Sequence, residues 1–215
     1  MISRGKRLRD YKHVFLILYV PIYLISFFLV ELLVPSDADY WVSYCPLDDL
    51  IPFNEYFIIP YYMWYPFLFM VGIYLMIKDV PEFKRYMYCI IIGFSFCLVF
   101  YLLFPNGQDL RPETFERDNI FVTMVKAIYA ADTNTNVLPS MHVIGAIFAA
   151  ISICSTKVLK VKWVKPSSVI LAVLISLSTC FVKQHSILDV FAGIAVVVIV
   201  YTIISIFIKR KLINS

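Results

Sequence analysis

Apolar residues along this chain come in long unbroken blocks. They show neither the alternation of a half-buried strand nor the three-and-four spacing of a half-buried helix. The blocks run at about Val14–Val34, Tyr56–Ile77, Tyr86–Phe104, Ser140–Ser155, Ser167–Val182 and Ile187–Ile208. A helix needs roughly 17–25 mainly apolar residues to cross the hydrocarbon core of a bilayer. The fourth and fifth blocks are short by that measure, so their ends are expected to reach into the flanking loops, with Pro166 marking a helix start. The pattern predicts an all-α integral membrane protein, a six-transmembrane helix bundle. No linker divides it, so residues 1–215 read as a single membrane domain.

The polar positions between the blocks give the bundle an orientation. Arg4, Lys6, Arg7, Arg9 and Lys12 precede the first block; Lys78, Lys84 and Arg85 follow the second. Lys157, Lys160, Lys162 and Lys165 follow the fourth, and Lys209, Arg210 and Lys211 follow the sixth. The intervening loops are poorer in basic residues; the first carries Asp37, Asp39, Asp48, Asp49 and Glu55 and no lysine or arginine. Basic loops stay in the cytoplasm, so both termini are expected there. Arg111, His142 and His185 are then expected at the outer face together. In the longest loop, Asn119 to Ala131 has the apolar spacing of a helix lying on the membrane surface, or of a buried connecting helix. Trp41, Tyr40, Tyr44 and Phe53 fit an interfacial aromatic belt.

Composition agrees: 61% of residues are hydrophobic and 17% aromatic, with a mean hydropathy of +0.80. The net charge of +4 lies in clusters beside the apolar blocks and is no sign of a nucleic-acid partner. Cys45, Cys89, Cys97, Cys154 and Cys180 show neither a paired disulfide framework nor zinc spacing, so no metal site is expected. The first block has no small-residue cleavage site after it and reads as an uncleaved span.

Two strings carry the chemistry, Pro139-Ser140-Met141-His142 and His185-Ser186-Ile187-Leu188-Asp189, and they hold two of the three histidines. Ionisable groups at a membrane boundary are expensive and mark function by default. His185 and Asp189 are four apart and share a helix face. The carboxylate can fix the imidazole tautomer and leave the other ring nitrogen free to attack. A second histidine can protonate a leaving oxygen and later deprotonate water. Arg111 and Lys183 offer positive charge to an anion, and Ser140 with nearby backbone N–H groups can cradle an oxyanion at a helix start. The substrate class expected is a phosphate ester whose apolar part lies in the bilayer.

These residues resemble the type 2 phosphatidic acid phosphatase superfamily, whose motifs are Lys-x6-Arg-Pro, Pro-Ser-Gly-His and Ser-Arg-x5-His-x3-Asp. Arg111-Pro112 matches the end of the first, residues 139–142 match the second, and Ser178, His185 and Asp189 match the third. The resemblance covers roughly Tyr101 to Gly193, the expected catalytic core. It implies a phosphohistidine on His185, oriented by Asp189, with His142 as general acid and Arg111 and Ser140 on phosphoryl oxygens. It also implies no cofactor and no metal.

The chain departs from the family pattern at Phe104, Met141 and Thr179, which stand at the first-motif lysine, the second-motif glycine and the third-motif arginine respectively. Two cationic phosphate ligands are therefore missing, with Lys183 a replacement for one. The expected activity is a metal-independent lipid phosphatase acting on a monoester or diphosphate, in a bacterial plasma membrane with its site facing outside. The alternatives are a lipid head-group phosphotransferase using the same site and a non-enzymatic lipid-binding or transport protein. Asp48 and Asp49 read as solvated loop acids, Asp132 and Asn136 as turn residues, and Tyr61, Tyr62, Trp64 and Tyr65 as belt or lipid-facing residues.

Overall fold

The structure, a computed structural model, describes residues 8–34 and 39–213, with side chains described at 12–34 and 39–207. Arg4, Lys6, Arg7 and Asp37, and the side chains of Arg9, Lys209, Arg210 and Lys211, lie outside the described residues. The chain is mostly helical. After a 3-10 turn at Leu8–Leu18 come α1 (Tyr19–Leu33), α2 (Ile58–Tyr62), α3 (Trp64–Lys78), α4 (Val80–Leu103), α5 (Ile120–Ala131), α6 (Met141–Ser155), α7 (Val164–Phe181) and α8 (Ile187–Ile213). Five helical stretches among the described residues are long and apolar enough to cross a membrane: Lys12–Leu33, Glu55–Lys78, Val80–Leu103, Val164–Phe181 and Ile187–Phe207. The fourth block becomes the shorter α6.

Helix α6 is the axis of the bundle and packs against α3, α4, α7 and α8. Val143, Ile144, Ala146, Phe148 and Ala149 are all buried, so it is enclosed on nearly every side. Small residues permit this close approach. A Cβ on Gly193 of α8 would lie 3.0 Å from the Ser140 carbonyl oxygen and 3.1 Å from Val143 Cβ. By contrast α1 stands at the rim and docks on α4 through Tyr19, whose hydroxyl lies 3.0 Å from Ser95 Oγ.

Helix α4 starts six residues before the block seen in the sequence. Asp79 Oδ1 accepts from the Glu82 backbone N–H at 3.2 Å, and Glu82 pairs with Arg85 three residues on. This cap and ion pair let polar residues form the first turns.

An all-helical reading missed one ribbon. Trp41–Val42 (β1) pairs in parallel with Asn106–Gly107 (β2), in register Trp41 with Asn106 and Val42 with Gly107. Gly107 bridges in turn to Thr135. A Cβ at Gly107 would come within 2.6 Å of the Tyr40 ring, so any side chain there would force the ring to move. Asn106 stitches the ribbon to the approach to α6: its Oδ1 accepts from the Val137 and Leu138 N–H groups at 3.0 and 2.7 Å.

Helix α5 packs one face against the rest of the chain and leaves the other exposed. Asn119 caps it, accepting from Phe121 N and Val122 N, both at 3.0 Å. Its buried face, including Val125 and Ile128, meets Ile58, Tyr61 and Val182.

Candidate active site

Helix α6 begins where Ser140 caps it, its Oγ accepting from Val143 N at 3.5 Å. The Ser140 N–H donates to the Asp189 carbonyl oxygen at 3.1 Å, which ties the start of α6 to the first turn of α8. Tyr101 of α4 donates to the Pro139 carbonyl at 2.6 Å from a fully buried position. These bonds set His142 beside His185.

The two imidazoles and one carboxylate form a line. His185 Nδ1 lies 3.1 Å from Asp189 Oδ2, and His185 Nε2 lies 3.3 Å from His142 Nδ1. A carboxylate only accepts, so His185 Nδ1 carries the hydrogen. In the neutral ring Nε2 then holds the lone pair, and the hydrogen shared by the two rings belongs to His142 Nδ1. This tautomer is assigned from the partners. Asp189 is fully buried and fully occupied: Ser43 Oγ donates to Oδ1 at 2.5 Å and the Ser186 N–H to Oδ2 at 3.0 Å. Hydrogen bonds of this kind offset the cost of burying a polar group.

Chemically, the line holds a nucleophilic nitrogen, an orienting carboxylate and a proton donor in register. The resting contact between the rings is closed. A phosphorus atom in attacking position sits about 3–3.5 Å from the nucleophile, with its leaving oxygen beyond it. The present 3.3 Å between ring nitrogens leaves no room for that group. For a phosphoryl group to reach His185 Nε2 the rings would have to part, with the leaving oxygen in the place of His185 Nε2 as acceptor from His142.

Aromatic walls hold His142. Its ring centroid is 4.6 Å from that of Tyr61 and 4.7 Å from that of Trp64. Both are buried, which corrects their reading as belt or lipid-facing residues; Tyr65 is 53% exposed, as that reading requires. Trp64 Nε1 is turned to α6, where a Cβ on Gly145 would lie 3.0 Å away.

Arg111 joins the site at one remove. Its Nη1 donates to the Tyr129 carbonyl at 3.3 Å, and its Nη2 to the carbonyls of Asp132 and Thr133 at 3.0 and 2.7 Å. Nη2 also donates to Gln184 Oε1 at 2.5 Å. Burial pulls its pKa below the usual arginine value, with Asp132 the main opposing influence. Arg111 also lines an open cleft of about 590 Å³ with Gln108, Asp109, Tyr129, Asp132 and Asn134. The histidines are not among the residues lining that cleft.

Lys183 is placed elsewhere by its hydrogen bonds. Its Nζ donates to the carbonyls of Asp48 and Ile51 at 3.0 and 2.5 Å, holding the 46–51 turn. Its backbone, at φ 55, closes α7. The Lys183 N–H donates to Cys180 O at 3.1 Å and the Gln184 N–H to Thr179 O at 2.9 Å, the double bond of a Schellman turn. Of the three residues that differ from the resembled motifs, Phe104 packs against Trp41 and Phe100. Met141 accepts from the Tyr23 hydroxyl at 3.3 Å, and Thr179 donates to Ser176 O at 2.8 Å.

Asp48 is a correction. It is buried, not solvated. Its Oδ2 accepts from Ser186 Oγ at 2.6 Å and its Oδ1 from the Ile187 N–H at 2.8 Å. It caps the start of α8, the turn that carries the dyad. Asn136 is a turn residue, at φ 60, and it is buried; its Nδ2 donates to Glu31 Oε1 on α1 at 3.0 Å.

Ser43, Asp48 and Glu31 left no signal in the sequence that separates them from other polar residues. Gln184 did: it is an amide wedged between a lysine and a histidine at the edge of an apolar block. Comparison of the chain with models of known protein families, with curated proteins and with solved structures gave no match.

Proposed function

We propose that this protein is a metal-independent membrane enzyme that cleaves a lipid phosphate ester through a phosphohistidine on His185, as a divergent relative of the type 2 phosphatidic acid phosphatases. It spans the membrane six times, with α6 as the fourth span, both termini in the cytoplasm and the site at the outer face of a bacterial plasma membrane. The observation that carries the reading is the line from His142 through His185 to Asp189, at 3.3 and 3.1 Å. The basic loops support the orientation.

In the reaction, the His185 Nε2 lone pair forms a bond to phosphorus. The bond from phosphorus to the leaving alcohol breaks, its electron pair stays on oxygen, and His142 Nδ1 supplies the proton. Asp189 stabilises the positive charge gained by His185. Water then gives a proton to His142 and attacks phosphorus, and the nitrogen–phosphorus pair returns to His185. Arg111 supplies positive charge toward the phosphoryl group. Hydrolysis of a lipid phosphate monoester or diphosphate is the leading form of this reading.

The test is phosphate release from a panel of lipid phosphates in detergent. His185→Ala and His142→Ala are expected to lose the activity, and wild-type rates in both would sink the mechanism.

A second reading, head-group transfer to another lipid alcohol or sugar, draws support from the open cleft beside Arg111, which offers room for a polar acceptor. Mass spectrometry of products from mixed lipids separates the two: free phosphate marks the hydrolase and a new phosphodiester the transferase.

A further inference from the structure

The backbone already holds both cations that the sequence offers to an anion. Lys183 Nζ is taken by two carbonyls. Arg111 gives Nη1 and Nη2 to three carbonyls and to Gln184. The nitrogen left with no acceptor at all is Nε, which is buried and without a partner, while Nη1 keeps a second hydrogen beyond its bond to Tyr129.

Gln184 lies beside it and is 3% exposed. Arg111 can only donate, so the bond to Gln184 fixes the amide: its oxygen accepts and Nε2 carries the two hydrogens. Nε2 is buried and makes no well-formed hydrogen bond; the Tyr61 hydroxyl is close enough to interact with it but not in good hydrogen-bond geometry. Leaving a buried donor unmade costs about 1–3 kcal/mol, and such groups in a native protein ask for an explanation. Position supplies one. Gln184 directly precedes His185, and the two backbone N–H groups donate to the same Thr179 carbonyl at 2.9 and 3.1 Å. One turn carries both the free amide and the nucleophilic ring.

Resting on the phosphohistidine reading above, but placing its second form, head-group transfer, ahead of monoester hydrolysis, we infer that Gln184 binds the phosphoryl group through Nε2, next to Arg111 Nε, and that the site takes a monoanionic phosphodiester in preference to a dianionic phosphomonoester. Charge decides the class. A dianion would meet one guanidinium already holding four acceptors, one neutral amide, and Asp189 behind His185. Burying the second negative charge with no second cation is costly. A phosphodiester carries one charge on two non-bridging oxygens, and two N–H directions serve them.

Nitrogen bonds to phosphorus, the bond to the head-group alcohol breaks, and His142 Nδ1 protonates the departing oxygen. His185 then bears a lipid phosphoryl group. An acceptor hydroxyl gives its proton to His142, attacks phosphorus and frees His185. Water as acceptor yields a phosphomonoester, which this pocket holds weakly; an alcohol yields a new phosphodiester.

The experiment compares dioctanoyl phosphatidylglycerol with dioctanoyl phosphatidate in detergent, on wild type, Gln184→Met, Gln184→Lys and His185→Ala. Wild type is expected to favour the diester at least ten-fold in kcat/KM. Gln184→Met should lower diester kcat/KM 10- to 100-fold while the melting temperature holds. Gln184→Lys, by adding a cation, should shift the ratio toward the monoester. General misfolding lowers both substrates together and leaves that ratio alone. A wild-type preference for the monoester, or one ratio shared by all three forms at position 184, overturns the inference while the phosphohistidine reading stands if His185→Ala is dead. Activity surviving in His185→Ala overturns that reading instead, and a wild type that cleaves neither lipid overturns both.

Discussion

Ser43 donates its hydroxyl to Asp189 at 2.5 Å across 146 residues of chain, and both side chains are fully buried. The serine sits just past β1, where its N–H donates to the Gly107 carbonyl at 2.7 Å. The ribbon thus aims a side chain at the carboxylate that orients His185. Ser43→Ala would leave Asp189 Oδ1 without its partner, a loss of about 1–3 kcal/mol. The expected result is a 10- to 100-fold fall in kcat with KM nearly unchanged, because Ser43 acts through Asp189 and not on substrate. Steady-state kinetics on a cleaved lipid phosphate checks it; an unchanged kcat contradicts it.

Asp48 predicts a loss of stability. Removing it strands the Ile187 N–H and the Ser186 hydroxyl at the start of α8. Asp48→Ala is expected to cost about 1–3 kcal/mol, from a lost cap and buried hydrogen bonds. Asp48→Asn should cost less, since its amide oxygen still accepts from one of them. Thermal unfolding in detergent orders the three proteins: wild type, then Asn, then Ala.

Gly193 tests whether the spacing of α6 and α8 sets the histidine pair. An alanine there meets the Ser140 carbonyl and Val143 at 3.0 and 3.1 Å, and overpacking of this kind costs about 1–3 kcal/mol. The strain falls between the helices that carry His142 and His185. Gly193→Ala should therefore lower kcat by more than ten-fold while the melting temperature falls only a few degrees. Equal rates in both proteins would show that the pair tolerates the shift.

Asp132 gives the stability a pH dependence. Burial first, then the nearby Glu31, raises its pKa to about 6, against the opposing pull of His185 and Arg111. An acid whose folded pKa lies above its unfolded value binds a proton more tightly when folded. Its contribution is complete below about pH 4 and is lost as pH rises through about 6. Allowing for its partial exposure to the cleft, the effect is on the order of 1 kcal/mol. Wild type should melt at a higher temperature at pH 5 than at pH 7 by more than Asp132→Asn does. Parallel pH profiles for the two would remove Asp132 from the account.

The apolar blocks made the helices legible because a span in lipid must satisfy its backbone internally. Four-residue spacing made the His185–Asp189 pair legible too. The ribbon at Trp41–Val42 and Asn106–Gly107 was not, since two-residue strands have no periodicity to read. Asp48 looks like a loop acid because nothing local to it signals Ser186, 138 residues away. Lys183 was legible as a cation at the site's edge, but its partners are carbonyls of a distant turn. Tyr61 and Trp64 are aromatic in a span where aromatics are common, and only packing separates those facing His142 from Tyr65.

The long reach of Ser43 and Asp48 has a consequence during synthesis. At about 5–20 residues per second, each emerges roughly 7–30 s before the partner that occupies it. Through that interval Asp48 has neither Ser186 nor Ile187 to hold, and Ser43 faces no carboxylate. The first loop therefore reaches its final form only after the first turn of α8 is made. A ribosome stalled before Asp189 carries every helix up to α7 but not the carboxylate that ends the His142–His185–Asp189 line.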